Sequence, residues 1–196
     1  MRGTDSPSVP GNPFQRQHER SQKSTAQDTR RDGEIMSEGK EIQKQLLAFL
    51  KGGNAHAGMD EVVKDFPAEK RGVKPAGLPY SGWQLLEHIR ITQHDILNFS
   101  KNYDGKYHSP KWPDGYWPKE PDPPNEKAWD QSVAQIESDR KAFEELLQDP
   151  KSDLAKPFPW GDGQNLLREA LLIGDHTAYH LGEIVALRRI LGIWHK

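Results

Sequence analysis

Apolar residues return every three or four positions in four long stretches of the chain, the period of an α-helix with one buried face. The first runs from about 38 to 50, with Ile42, Leu46, Phe49 and Leu50 on one side. Ser37 can cap its start and Gly52–Gly53 can end it. A short amphipathic piece follows, with Met59, Val62, Val63 and Phe66, closed by Pro67; residues 67–80 read as a loop. Ser81 is placed to cap a second helix over about 81–102, whose stripe is Leu85, His88/Ile89, Thr92, Ile96 and Phe99. The third helix spans about 125–148, with Trp129, Val133, Ile136, Phe143 and Leu147 inward and Asp149–Pro150 as its stop. The fourth spans about 164–192, with Gly192 near its end.

Two long connections separate these helices. Tyr103 to Asn125 holds six of the 15 prolines together with Trp112, Tyr116 and Trp117. A loop of that length is usually functional or disordered, and its aromatics argue for packing on the domain. The second, 150–163, carries Pro157, Phe158, Pro159, Trp160 and Gly161. No strand-like alternation and no internal repeat stands out. The pattern predicts an all-α fold, a four-helix bundle with long crossover loops.

Residues 1–35 break the pattern. Only Met1, Val9, Phe14, Ala26 and Ile35 are hydrophobic, among six basic and five acidic residues. Such a segment buries too little apolar surface to offset its ordering entropy, so the expectation is a disordered extension over 1–35 and a bundle domain over 36–196. The extension reads as dispensable, or as preceding a start at Met36.

Composition narrows the function. The net charge is -2, which gives no global attraction for nucleic acid. No apolar run approaches the ~18–20 residues of a membrane helix, and the N-terminus lacks the apolar core of a secretory signal. There is no cysteine, hence no disulfide, no thiolate metal site and no cysteine nucleophile. A cytoplasmic location fits that count.

The 8 histidines carry the chemistry. In the last helix Leu166, Ala170, Ile173, His176, His180, Ile184, Leu187 and Leu191 share one inward face. Two members of that apolar row are imidazoles one turn apart, a spacing at which both can reach one ion at about 2.0–2.1 Å. His88 replaces an apolar residue in the second helix in the same way and can supply a third nitrogen. Two buried imidazoles must find partners whether or not a metal is among them, so the spacing alone leaves both a metal site and a hydrogen-bonded core open. No Glu-x-x-His, His-Glu-x-x-His, phosphate-binding Gly loop or Gly-x-Ser-x-Gly is present, which removes the di-iron, zincin, nucleotide and serine-hydrolase readings.

The segments Trp83-Gln-Leu-Leu-Glu-His88-Ile and Asp175-His-Thr-Ala-Tyr-His180-Leu-Gly-Glu183-Ile resemble the two signature helices of the DinB-like superfamily. The spacer from Pro75 to Trp83 and the ending Leu187 to Trp194 are similar to it too, so the likeness runs over 38–194. The resemblance implies a four-helix bundle with a long crossover and a three-histidine site for a divalent metal, whose ligands fall on His88, His176 and His180. Relatives often carry Gln where this chain has Glu183. Seven residues from His176, Glu183 shares the ligand face, as an orienting group, a fourth ligand, a general base or an ordinary carboxylate at the bundle end. Gly182 reads as a close-packing position. Tyr179, beside the ligand face, and His56, near a histidine of close relatives, are the candidates for lining a pocket. His94 points off the ligand face, and His18, His108 and His195 take no role. Arg140 reads as a snorkelling edge residue.

Three neutral imidazoles leave a divalent ion its charge and an open position, the arrangement of a catalytic site. Zn, Ni, Mn and Fe all accept such ligands. The resemblance implies relatives that are bacterial thiol S-transferases using bacillithiol or mycothiol and a mycothiol-dependent isomerase. The expectation is therefore a metal-dependent enzyme acting on a small molecule, which adds a low-molecular-weight thiol to an electrophile or uses metal-bound water as a hydrolase does. The alternative is a non-catalytic metal-binding module of stress response. A homodimer is one expected assembly; no nucleic acid or membrane partner is expected.

Overall fold

The computed structural model describes residues 38–194. The expected disorder of 1–35, the cap at Ser37 and His195 lie outside the described residues. A unit boundary falls after Ile42, and the helical packing below is that of the unit that begins at Gln43. Helix α1 covers 38–51, α2 Met59–Val63, α3 Gly82–Ser100, α4 Ala128–Gln148 and α5 Leu166–Ile190. Short 3₁₀ turns lie at Ala68–Lys70 and Asp114–Tyr116. Among the described residues there is no strand, and none of the helices is long and apolar enough to cross a membrane.

Local chemistry sets the ends. Ser81 Oγ accepts from Gln84 N at 3.2 Å while Gln84 Oε1 accepts from Ser81 N at 3.3 Å, a reciprocal cap on α3. Asn165 caps α5 by accepting from Arg168 N at 2.9 Å. After α1 the chain turns through positive φ at Gly52 (71°) and Gly53 (75°), where glycine carries no Cβ penalty.

Two apolar clusters fix the topology. One contains Val62, Phe66, Trp83, Leu86, Ile89, Trp129, Ile136, Leu181, Ile184 and Leu187; the other contains Leu46, Leu50, Ile96, Leu97, Phe143, Leu147, Leu166, Ala170 and Ile173. Both α3 and α4 run from the first cluster to the second, whereas α5 runs back. Helices α3 and α4 are therefore parallel, and the chain after α3 must return the length of the bundle before α4 starts. That return is the crossover 101–127. On α5 the histidines fall between the two clusters, after Ile173 and before Leu181.

Several expected positions differ. Ile42 and Phe49 stay exposed while Leu46 and Leu50 are buried, so the core face of α1 is narrower than its apolar pattern. Thr92 and Val133 are only half-buried. Gly182 is exposed, with nothing within 4 Å of an added Cβ, so it permits no close helix approach. Gly174 does: a Cβ there would stand 2.1 Å from Phe49 Cε1. Tyr179 is 65% exposed. In the crossover Trp112 is 74% exposed, whereas Tyr116 and Trp117 pack down.

Candidate metal centre

Helix α3 carries His88 on a stretch buried from Gly82 to Ile89, and α5 brings His176 and His180 against it. One ring nitrogen from each of the three lies within 4.8 Å of the others, and no further His, Asp or Glu joins the group among the described residues. His88 Nε2 and His176 Nε2 stand 3.0 Å apart. The rings meet edge to face, with centroids 4.5–4.7 Å apart.

The second nitrogen of two rings is already engaged. His88 Nδ1 lies 2.9 Å from the Tyr116 carbonyl oxygen. A carbonyl can only accept, so Nδ1 carries the proton and Nε2 presents its lone pair to the cluster. His180 Nδ1 lies 2.6 Å from Glu183 Oε2, which fixes that ring in the same sense. Partners of this kind orient metal-ligating imidazoles and raise their basicity. The His88 ring is also clamped face to face by Trp117, with centroids 3.7 Å apart, and Trp117 is backed by Tyr80 at 3.9 Å.

Electrostatics keeps the donors neutral. Burial, reinforced by the neighbouring imidazoles, lowers His176 to about 3. Burial and His88 lower His180 to about 4. Burial also lowers His88, against the opposing pull of the Tyr116 carbonyl and Glu183. The His180–Glu183 contact is thus a neutral N–H donating to a carboxylate rather than an ion pair. Burial pushes the Glu183 carboxyl up, with His88 acting the other way. His88 and His180 turn lone pairs toward the cluster, while His176 Nε2 holds the proton of its 3.0 Å contact with His88 Nε2 and would shift it to Nδ1 to ligate. Three neutral imidazoles so placed fit a borderline divalent cation, and 3.0 Å lies within what two ~2.1 Å bonds span.

The family model of the DinB superfamily matches residues 54–184. The chain belongs to the DinB superfamily. A comparison with curated proteins and one with solved structures find no match.

Within this DinB-superfamily chain the other candidates separate from the cluster. His56 is exposed, with Nδ1 2.9 Å from Ala57 O. It borders a cavity of about 540 Å³ between α1, α4 and α5 that also meets Gln93, Ile136 and Leu181, and none of the three clustered histidines lines it. Tyr179 meets the His180 ring edge to face at 4.9 Å but otherwise faces out. His94 pairs with buried Asp139 at 3.0 Å, across to α4. Arg140 pairs with Glu144 on the cavity edge. Sequence reasoning missed Trp117, Tyr80 and the Tyr116 carbonyl. The only available signal was the density of aromatics in the crossover, which predicts packing without saying on what.

Proposed function

We propose that His88, His176 and His180 hold a divalent metal and that this DinB-superfamily protein is a metal-dependent enzyme. Its reaction class is attack of an acidified nucleophile, a low-molecular-weight thiol or water, on a small electrophilic substrate. The observation that carries the reading is the convergence of three neutral imidazoles, two of them with their outer nitrogens already held. When bound, the metal supplies Lewis acidity that lowers the pKa of a thiol or water reaching it.

The chain's own residues supply the rest. Tyr116 O and Glu183 hold the tautomers of His88 and His180, so those two lone pairs need no rearrangement. Trp117 and Tyr80 stack over His88 and keep solvent from that face. Glu183 is the carboxylate beside the cluster, and its burial-raised pKa suits a group that takes a proton from an incoming nucleophile. With no cysteine in the chain, a thiol nucleophile must arrive as cosubstrate.

Elemental analysis of the purified protein tests the site, with about one metal per chain expected. Metal-loaded and apo forms are then incubated with a low-molecular-weight thiol and a model electrophile, and in parallel with a hydrolysable ester or amide. Turnover by the loaded form alone supports the enzyme. Stoichiometric metal without turnover on any of them moves the reading to a non-catalytic metal-binding module, and absence of metal affinity removes both.

A further inference from the structure

We infer that Asp95 is a positioning residue for the histidine cluster, acting on His88 through the crossover segment that it anchors. Asp95 sits seven residues beyond His88 on α3, two turns along the same face and about 10 Å away along the axis. It is out of reach of the cluster. Its carboxylate instead accepts from two phenols of the crossover, Tyr107 at Oδ1 (2.8 Å) and Tyr116 at Oδ2 (2.7 Å). Burial and the Asp95 charge push both phenols well above their ordinary pKa, so both remain donors.

Tyr116 is the residue whose carbonyl fixes the His88 tautomer, and the next residue, Trp117, stacks on the His88 ring. Beyond them the crossover is tied a second time, to the start of α3. Gln84 Nε2 donates to Pro118 O at 3.0 Å and Ser81 Oγ donates to Pro121 O at 2.6 Å. Tyr116 and Trp117 thus hang between two anchors, both on the helix that carries His88. The Asp95 carboxylate gives each phenol its own charged acceptor oxygen, where an amide would have one neutral oxygen for both. The Asp95 side chain, the Tyr116 side chain, the Tyr116 backbone and the His88 ring form one continuous path of contacts.

The inference rests on the metal-site reading for its affinity effect but not for its structural effect, and two readouts separate them. The full chain is prepared as wild type, Asp95→Ala, Tyr116→Phe, the double variant and His94→Ala. Long-range proton–nitrogen NMR of the metal-free protein reads the His88 tautomer. Competition with a chromophoric chelator reads zinc affinity. Wild type is expected to hold the Nδ1–H tautomer. Asp95→Ala and Tyr116→Phe should each mix the tautomers and weaken zinc about tenfold, the lower end of what loss of an orienting partner costs. The double variant should be no weaker than the worse single, since both cut one path. His94→Ala, on the same helix but hydrogen-bonded to Asp139 of α4 and not to Tyr107 or Tyr116, should match wild type in both. If Asp95→Ala does not fold, Tyr116→Phe, which preserves the ring, decides the question. An unchanged His88 tautomer and unchanged affinity in a folded variant, with only a lower melting temperature, overturns the inference. A wild type with affinity for none of zinc, nickel, manganese and iron overturns the metal reading, and the tautomer comparison then still decides the role of Asp95.

Discussion

Stripping metal from the wild-type protein should lower its melting temperature by roughly 9 °C, and His180→Ala should abolish that shift. An ion that binds only the folded state stabilises it by about 2.7 kcal/mol at a hundredfold excess over its dissociation constant. Unfolding entropy near 60 °C is about 2.1 cal/mol/K per residue, so a bundle of about 150 residues loses roughly 0.3 kcal/mol of stability per degree near its midpoint. The quotient is the shift expected when zinc at that excess is replaced by chelator. His180→Ala removes one of three convergent nitrogens and leaves His88 and His176, 3.0 Å apart, able to hydrogen-bond each other. The variant should therefore fold while losing the ion. The assay is differential scanning fluorimetry of wild type and variant, each with added zinc and with chelator, paired with elemental analysis. A wild type that melts identically in both conditions refutes the argument, as does a variant that keeps both its metal and its shift.

The metal-free bundle should also lose stability as pH falls from about 6.5 toward 4. Folding lowers His176 to about 3 and His180 to about 4, so the unfolded chain, near 6.5, takes up protons first and gains free energy across that window. Each group contributes a slope of up to about 1.4 kcal/mol per pH unit, roughly half that for groups still reached by solvent. Urea midpoints at pH 7 and pH 5 measure it, and a flat profile would sink the assignment of neutral buried imidazoles. Gly174→Ala places a Cβ on Phe49 and should cost about 1–3 kcal/mol. In a Phe49→Ala background most of that cost should vanish, and urea denaturation giving additive costs would show that the two do not collide.

The helices were legible because each buries one face, and that requirement leaves a periodic trace that no loop can blur. The same trace exposed His88, His176 and His180, polar residues where the period called for apolar ones. It could not say that α3 and α4 run parallel, since a stripe is the same read in either direction; only the length of the crossover hinted at it. Nor could it find the grip on His88. The Tyr116 carbonyl belongs to a backbone that is chemically alike at every position, so its role depends on where the chain passes rather than on residue type. Trp117 and Trp112 look equivalent in sequence, yet one is stacked on His88 and the other is exposed. Gly174 and Gly182 differ in the same way: only the first has Phe49 of α1 above it. His56, singled out through a histidine of close relatives, borders a cavity away from the cluster, and Tyr179, singled out by its place beside the ligand face, turns outward: neither sequence position says which concavity a side chain meets.

The parallel run of α3 and α4 also bears on the order in which the molecule assembles. His88 meets His176 across 88 residues of chain and meets the Tyr116 carbonyl across 28. Contacts of such separation form only after long loops have closed, whereas individual helix turns and the α4–α5 connection are local. The cluster is then a late product of folding, completed when the crossover settles on α3. A cation captured there strengthens contacts that the transition state lacks, so it slows unfolding without accelerating folding. The ion would act as a latch on a finished bundle, lengthening the lifetime of the native state, and not as a template around which the helices gather.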